Sequence, residues 1–428
     1  MSKDFSSQNL ERSFFRYQYL KHVNFSQANL IDSNLSETKL NGADLTGADL
    51  TSADLTGADL TDANLTGANL TRANLSYSFS SFSPNANRKN ANLIRANLCN
   101  VNLCHADLTS ADLTDANLTS ANLTGANLKD ANLTGANLTN ANLRDANLRG
   151  TKINEATQFD HKWRLIWEIL NQEVVGRDLI GADLKGADLK DSNLRSANLS
   201  GADLKGTNLT DANLRDANLM DTKINEKTQL DIKWRLIWEI LNQGAVDRDL
   251  TNADLWYANL SDANLTGANL TGANLSSARL SGTNLTDANL TDAKLWRANL
   301  RGTKINEATK LDNKWLLIWK IVNEEVVGRD LKKADLKGAN LTGANLTSAK
   351  LNGADFSGTN LNSADLNGAD LNGADLNGAD LKDTNFQGAN LQDVNFKGVK
   401  YLTKEQVKSA KNWEMATYND DFRNQLDD

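Results

Sequence analysis

Two cysteines and a histidine are the group in this chain with the composition of a metal or redox site. Cys99 and Cys104 are five residues apart, and His105 follows the second. Thiolates and imidazole bind zinc, and two thiols within reach form a disulfide. Each cysteine follows a leucine of a regular repeat, so we expect them on neighbouring faces, pointing outward and poorly placed for either role. The sequence predicts two free surface thiols and no metal site.

Aspartates are the next residues whose spacing suggests a function, because they recur every five residues. Calcium-binding loops place carboxylates at alternate positions, which this spacing does not match. Aspartate at a turn accepts hydrogen bonds from the turn backbone, so we expect solvated corner residues. The alternative is an acidic surface that imitates duplex DNA, because no Lys or Arg interrupts residues 40–71 or 351–381. The candidate acidic residues are Asp355, Asp365, Asp370, Asp375 and Asp380.

The sequence contains no recognisable combination of catalytic residues. Its three histidines are His22, His105 and His161, and none belongs to a Ser-His-Asp set. A Walker loop and a dinucleotide-binding fingerprint are also missing from the sequence. The sequence therefore predicts a protein that is not an enzyme and needs no cofactor.

The element that positions all these side chains is a five-residue repeat. From residue 43 to residue 75 the block Ala-Asp/Asn-Leu-x-x recurs without interruption. In an extended chain the Ala and the Leu point to one side and the Asp or Asn to the other, and the following Thr-Gly or Thr-Asp pair favours a turn. One block cannot bury its own leucine, whereas stacked blocks bury a column of leucines. The sequence therefore predicts a solenoid.

These blocks resemble the pentapeptide-repeat family, and the chain looks like a long cyanobacterial-type member with tryptophan-containing helical inserts. The resemblance implies an all-β solenoid, the right-handed quadrilateral β-helix, in which four blocks form one square coil. It also implies that the central Leu or Phe and the small residue two positions earlier fill the interior. Some family members imitate DNA and inhibit DNA gyrase. This chain departs from them, because its central residues are mostly Leu where theirs include many Phe.

The repeat is interrupted at four places. We expect one solenoid domain over residues 1–402, with an irregular loop at 76–90 around Pro84 and helical inserts at 154–178, 225–249 and 306–330. Residues 403–428 form a C-terminal helical cap and tail, with a helix over 403–413. The cap would shield the last exposed strand edges from edge-to-edge association.

The three inserts are near-copies of one another. In the first, Thr157 and Asp160 match a capping box, and residues 163–170 have the apolar spacing of a helix. Apolar side chains lie on two sides of this helix, and one side suffices to dock it on a solenoid wall. The second side is either covered internally, by Val174 and Val175, or is a contact surface for a partner. The candidate contact residues are Trp163, Leu165, Trp167, Ile169, Trp234, Leu236, Trp238, Ile240, Trp315, Leu316, Leu317 and Trp319.

Composition limits the classes of function and the cellular location that the sequence allows. The net charge of −8 argues against general nucleic-acid binding. We find no apolar run long enough to span a membrane, and the repeat begins at once, without room for a signal peptide, so we expect a cytoplasmic protein. The best-supported function is a non-catalytic scaffold or protein-interaction solenoid that contacts a protein partner through its exterior and its tryptophan-bearing inserts. The alternatives are a DNA-mimicking regulator of gyrase or a related topoisomerase, and a purely structural or self-assembling rod, a homo-oligomer formed through an end or the inserts.

Overall fold

The computed structural model describes residues 3–76, 88–173, 175–324 and 327–427. The fold is a right-handed β-helix, as the resemblance to the pentapeptide-repeat family implies. Residues twenty apart stack as parallel bridges: Asp44 pairs with Asn64, Asp49 with Asn69, and Asn264 with Asn284. Twenty residues are four blocks, so each coil has four walls. The walls consist of isolated bridges and not of longer strands, because each block is extended for only about three residues before the next corner.

The chain divides into two compact units. The first contains Met1–Leu214 and Thr222–Asp231, and the second contains Arg215–Asp221 and Ile232–Asp428. Each unit is a solenoid with its own column of buried side chains.

Leucine and alanine fill the interior of both units. Leu45, Ala48 and Leu50 are fully buried in the first unit, as are Leu366 and Ala369 in the second. A fully buried leucine contributes on the order of 2 kcal/mol relative to an exposed one. Hydrogen bonds between coils pair the backbone N–H and C=O groups of the walls. For example, Leu50 N donates to the carbonyl of Asn69 (2.7 Å). The repeat thus supplies both the apolar core and the hydrogen bonds that a stacked coil needs.

One buried position departs from this composition. The backbone N of Arg88 donates to Asp107 O (2.8 Å), the bond that leucines at this position make. The regular repeat therefore resumes at Arg88, inside the predicted irregular loop 76–90, because an arginine side chain hides the pattern in the sequence. Residues 77–87, including Pro84, lie outside the described residues.

Three helices occur within the inserts: α1, His161–Asn171; α2, Ile232–Asn242; and α3, Asn313–Asn323. The predicted capping box is wrong. Asp160 is the N-cap of α1 and accepts no side-chain capping bond. Thr157 instead occupies a buried small-residue position of the coil, where its hydroxyl donates to Leu133 O (2.9 Å). Its hydroxyl is therefore committed to the solenoid and does not cap the helix.

Helix α1 crosses the coil from corner to corner. Asn140 N, at one corner, donates to Asp160 Oδ1 (3.2 Å), and Gly150 N, two corners later, donates to Asn171 Oδ1 (2.7 Å). The corner between them, at Asp145, stacks directly on the coil that follows the insert, because Asp145 N donates to Gly186 O (2.7 Å). The helix therefore takes the place of two walls of one coil. The expectation of a helix docked on the outside of a wall is wrong.

The C-terminal region combines helices with two further coil segments. Helix α4 is Lys404–Lys408 and α5 is Asp420–Asp427, with a 3₁₀ turn at Trp413–Met415 between them. The predicted helix over 403–413 is too long, because Lys411 bridges to Asn390 and continues the wall. Thr403 and Gln406 form a true capping box at the start of α4.

Candidate functional site

The twelve predicted contact residues lie in α1, α2 and α3. Four of them are buried: Trp163, Ile169, Trp234 and Ile240. The other eight are half-buried: Leu165, Trp167, Leu236, Trp238, Trp315, Leu316, Leu317 and Trp319. Trp163 and Ile169 lie on different apolar sides of α1, so each side of this helix contains a buried residue. The half-buried residues remain the part of the prediction that is accessible to a partner.

Two of the helix tryptophans are anchored by their indole groups. Trp167 Nε1 donates to Thr151 O (3.1 Å), and Trp319 Nε1 donates to Thr303 O (3.0 Å). Val175, which was one candidate to cover the second side of α1, is 56% exposed, and Val174 lies outside the described residues. The role of these helices in partner contact stays a prediction.

Each helix is tied by an ion pair to the coil that follows it. A lysine near the start of the helix meets an aspartate 21 residues later, at 3.2, 3.1 and 2.8 Å in the three inserts. The pairs are Lys162–Asp183, Lys233–Asp254 and Lys314–Asp335. Exposed or half-exposed ion pairs stabilise a fold only weakly, typically by about 0–1 kcal/mol. Each pair joins the first turn of its helix to the next coil.

Two exposed tryptophans stand at corners of the second unit, and sequence reasoning missed them. Trp256 and Trp296 are 36% and 40% exposed. Trp256 packs against Tyr257, with ring centroids 4.7 Å apart, and the Arg215 guanidinium lies 4.5 Å from the Trp256 ring centroid. The signal in the sequence was an aromatic residue at a corner position that Thr, Ser, Lys or Asn usually occupies.

The second of these tryptophans lies flat over glycine corners. A Cβ on Gly338 would overlap the Trp296 ring, and one on Gly358 would lie 3.0 Å from it. Arg297 clamps the same corner, since its Nη2 donates to Gly358 O (2.9 Å). We call Arg215, Trp256, Tyr257, Trp296 and Arg297 the corner aromatic cluster.

Backbone bonds place the two tryptophans on one corner. Tyr257 N donates to Ser276 O (3.1 Å), and Ser277 N donates to Trp296 O (2.7 Å). Two steps at the β-spacing separate Trp256 from Trp296 by roughly 10 Å along the corner. This is within the span of one short peptide segment.

The predicted acidic residues are half-buried wall residues, and the expectation that they lie at corners is wrong, because each forms a bridge with the residue twenty positions away. Asp355 stacks on Asp375, as the spacing predicts. Each accepts a bond from a backbone N–H two residues later, as in Asn377 N to Asp375 Oδ1 (3.0 Å). Burial alone would raise the pKa of Asp370, but hydrogen bonds from Asn352, Asn372 and Asn390 outweigh it, so the net pKa is lowered. Hydrogen bonds therefore stabilise the charged carboxylate of Asp370. All five acidic residues are partly accessible: Asp355, Asp365, Asp370, Asp375 and Asp380.

The two cysteines are free and half-buried. Burial raises the pKa of the Cys104 thiol, which lowers its reactivity. Within the described part of the chain, no cluster of three or more His, Cys, Asp or Glu is arranged to hold a metal ion. Among the described helices, none has the length and apolar composition needed to cross a bilayer.

Comparison with known proteins gives a family match over most of the chain. A model of pentapeptide repeats matches between residues 4 and 78, 89 and 157, 178 and 225, 249 and 309, and 330 and 398. Comparison with curated protein sequences found no match.

Several solved structures are similar. The pentapeptide repeat protein Rfr23 from the cyanobacterium Cyanothece is 39% identical over 25% of this chain, with a TM-score of 0.18; the match spans 64% of Rfr23. HetL from the cyanobacterium Nostoc sp., a pentapeptide repeat protein involved in heterocyst differentiation regulation, is 23% identical over 90% of each chain, with a TM-score of 0.17. QnrB1, a plasmid-mediated fluoroquinolone resistance protein, is 15% identical in a trypsin-treated form, over 53% of this chain and 91% of its own, with a TM-score of 0.21.

Proposed function

This chain belongs to the pentapeptide-repeat family, and we propose that it is a non-catalytic interaction scaffold that binds a protein partner through the solenoid exterior and the tryptophan-bearing inserts. The observation that supports this most is the corner aromatic cluster of the second unit. Its two tryptophans are partly exposed on one corner, at positions where the fold accepts small polar residues.

The cluster has the composition of an interface hot spot. Trp, Tyr and Arg are the residues most enriched among those whose truncation costs the most binding energy. The Arg215 guanidinium packs on the Trp256 ring, and the Trp296 ring packs on Gly338 and Gly358, so little side-chain entropy is lost when a partner binds. The start of α2 adjoins the cluster, since Lys233 Nζ lies 5.5 Å from the Trp256 ring centroid. The half-buried Leu236 and Trp238 of α2 belong to the same proposed surface.

Affinity purification of the tagged protein from its host, with mass spectrometry, tests the proposal. We expect a specific partner to be lost from Trp256→Ala/Trp296→Ala. It should be retained by Ser276→Ala/Ser357→Ala, which changes polar residues of the same corner. A triple variant, Trp167→Ala/Trp238→Ala/Trp319→Ala, tests the inserts separately. A partner that is still recovered with all three variants would refute a role for these tryptophans.

A second candidate function is imitation of DNA by the acidic residues of the second unit. Asp365, Asp370, Asp375 and Asp380 ring one coil, and no Lys or Arg interrupts residues 351–381. A gyrase supercoiling assay tests this idea. Inhibition that is lost when the four aspartates become asparagine would support it, whereas no effect at micromolar protein would exclude it.

A further inference from the structure

We propose that the first unit carries a binding site for a small, multiply phosphorylated anion beside α1. The site lies in the first unit, whereas the corner aromatic cluster belongs to the second. A surface cavity of about 390 Å³ is lined by five cationic side chains and by Trp163. We call this cavity the basic notch; its cations are Arg144, Lys162, Lys185, Lys205 and Lys227.

Four of these cations stand on one corner of consecutive coils. Asp145 N bonds to Gly186 O, Gly186 N to Lys205 O (3.0 Å), and Gly206 N to Asn225 Oδ1 (2.9 Å). Three steps at the β-spacing give a column of roughly 14 Å from Arg144 to Lys227. The helix itself contributes the fifth cation, Lys162, at the side of the column.

Two glycines let the cations converge. The Arg144 side chain runs along the column across Gly186, where a Cβ would lie 2.7 Å from Arg144 Cγ. A Cβ on Gly206 would lie 3.5 Å from Arg144 Nη2 and 3.9 Å from Lys227 Cβ. The guanidinium of Arg144 therefore reaches toward the corner that carries Lys205 and Lys227.

The fold does not neutralise this column fully. Arg144 pairs with Asp145 (3.4 Å), Lys162 with Asp183 (3.2 Å) and Lys185 with Asp203 (3.7 Å). No carboxylate lines the cavity. Among the residues that the structure describes, neither Lys205 nor Lys227 forms an ion pair. Stacked like charges repel one another, so an anion in the notch would stabilise the column.

The chemistry of the column suits phosphate. The planar guanidinium of arginine binds phosphate through two parallel hydrogen bonds, and lysines add point charges. A column this long exceeds a single phosphate group and fits a short phosphate chain.

The basic column is not a requirement of the fold. The matching corner of the second unit carries Arg215, Trp256, Ser276 and Trp296 at successive steps, and it stacks through the same backbone bonds. The charge of the notch is thus a property of this corner of the first unit, and the matching corner of the second unit does not share it.

Isothermal titration of the full-length protein with inorganic tripolyphosphate tests the site. We expect one ligand to bind per chain, more weakly as salt is raised from about 50 to 200 mM. Lys205→Gln/Lys227→Gln should weaken binding at least about tenfold, because it removes the two unpaired cations. Lys337→Gln/Lys397→Gln removes the same charge from exposed corner lysines of the second unit and should leave binding unchanged. Circular dichroism of each variant confirms folding.

Two results would overturn the proposal. One is the absence of binding at millimolar tripolyphosphate in low salt. The other is an equal loss of affinity in both double variants, which would indicate attraction to overall charge. Titration with ATP distinguishes the source of the phosphate chain: tighter binding than tripolyphosphate indicates a nucleotide that also contacts Trp163, and equal binding indicates the phosphate chain alone.

Discussion

At the scale of single residues, Arg88 is the largest departure from the chemistry of the repeat. It occupies a leucine position in the interior and is 1% exposed. Its Nη2 donates to Leu55 O (3.3 Å), while Nε and Nη1 have no hydrogen-bond partner among the described residues. Burial lowers the pKa of Arg88 to about 10, although Asp59 and Asp107 oppose this shift.

We expect Arg88→Leu to raise the free energy of unfolding at pH 7 by about 1–4 kcal/mol, as measured by urea denaturation. The folded state has the lower pKa, so above pH 10 the unfolded state binds more protons and the wild type regains stability as pH rises. The advantage of the leucine variant should therefore shrink above pH 10. Arg72→Leu, at an exposed corner, should change stability by less than about 0.5 kcal/mol. A less stable Arg88→Leu protein would show that the guanidinium has a stabilising role.

Gly338 is required by the tryptophan that covers it. Its φ is +66°, and Gly373 has almost the same φ (+67°) with no atom within 4 Å of a Cβ. Alanine in this left-handed conformation costs about 1–2 kcal/mol at either site. Gly338→Ala should cost more than Gly373→Ala and should increase acrylamide quenching of tryptophan fluorescence, because Trp296 must move. Equal stability and equal quenching in the two variants would contradict the contact.

The predictability of single residues follows from how often their environment repeats. The leucine and alanine positions were predictable because every coil imposes the same buried site. Arg88 was not predictable, because a charged side chain is not expected at a buried leucine position. The exposed Trp256 and Trp296 were visible in the sequence, but the corner tolerates any side chain, so no pattern distinguishes a functional tryptophan there.

At the scale of elements, one asparagine fixes the end of each inserted helix. In α1, Asn171 Nδ2 donates to Leu148 O (3.1 Å) and Trp167 O (2.9 Å), and its Oδ1 accepts from Gly150 N (2.7 Å). Asn323 makes the equivalent three bonds in α3. The amide therefore joins the helix to the corner of the preceding coil.

Asn171→Asp tests these three hydrogen bonds with almost no change in the shape of the side chain. The carboxylate still accepts from Gly150 N, but it faces two carbonyl oxygens without a donor. We expect a loss of about 2–3 kcal/mol in the free energy of unfolding. Gln172→Ala changes the exposed neighbour and serves as the control. If the two variants are equally stable in urea, the side-chain bonds of Asn171 do not hold the helix.

The helices were predicted within a few residues, but their path was not. The helix over 163–170 was predictable because apolar spacing is a property of the local sequence. The observed α1, His161–Asn171, is a few residues longer. The corner-to-corner path depends on a bond between Asp145 and Gly186, 41 residues apart. The five-residue period does not indicate which two walls of a coil an inserted helix replaces.

At the scale of the whole molecule, the C-terminal region covers the last coil of the second unit. Lys411 and Thr417 bridge to Asn390 and Asn395. Tyr418 stacks on the interior Phe396, with ring centroids 5.4 Å apart, and burial raises the pKa of its phenol. Wall edges and interior rings that would otherwise face solvent are thus paired and covered.

Removal of residues 409–428 should therefore cause self-association. The exposed edge offers unpaired backbone groups to another chain, and edges of this kind promote assembly. We expect light scattering coupled to size-exclusion chromatography to give a mass that rises with concentration, above that of the full-length protein. Tyr418→Phe keeps the ring stack and the two bridges, so it should behave as the full-length protein does. A truncated chain with an unchanged mass at every concentration would mean that the coil edge needs no cover, and the C-terminal region would then require another explanation than edge protection.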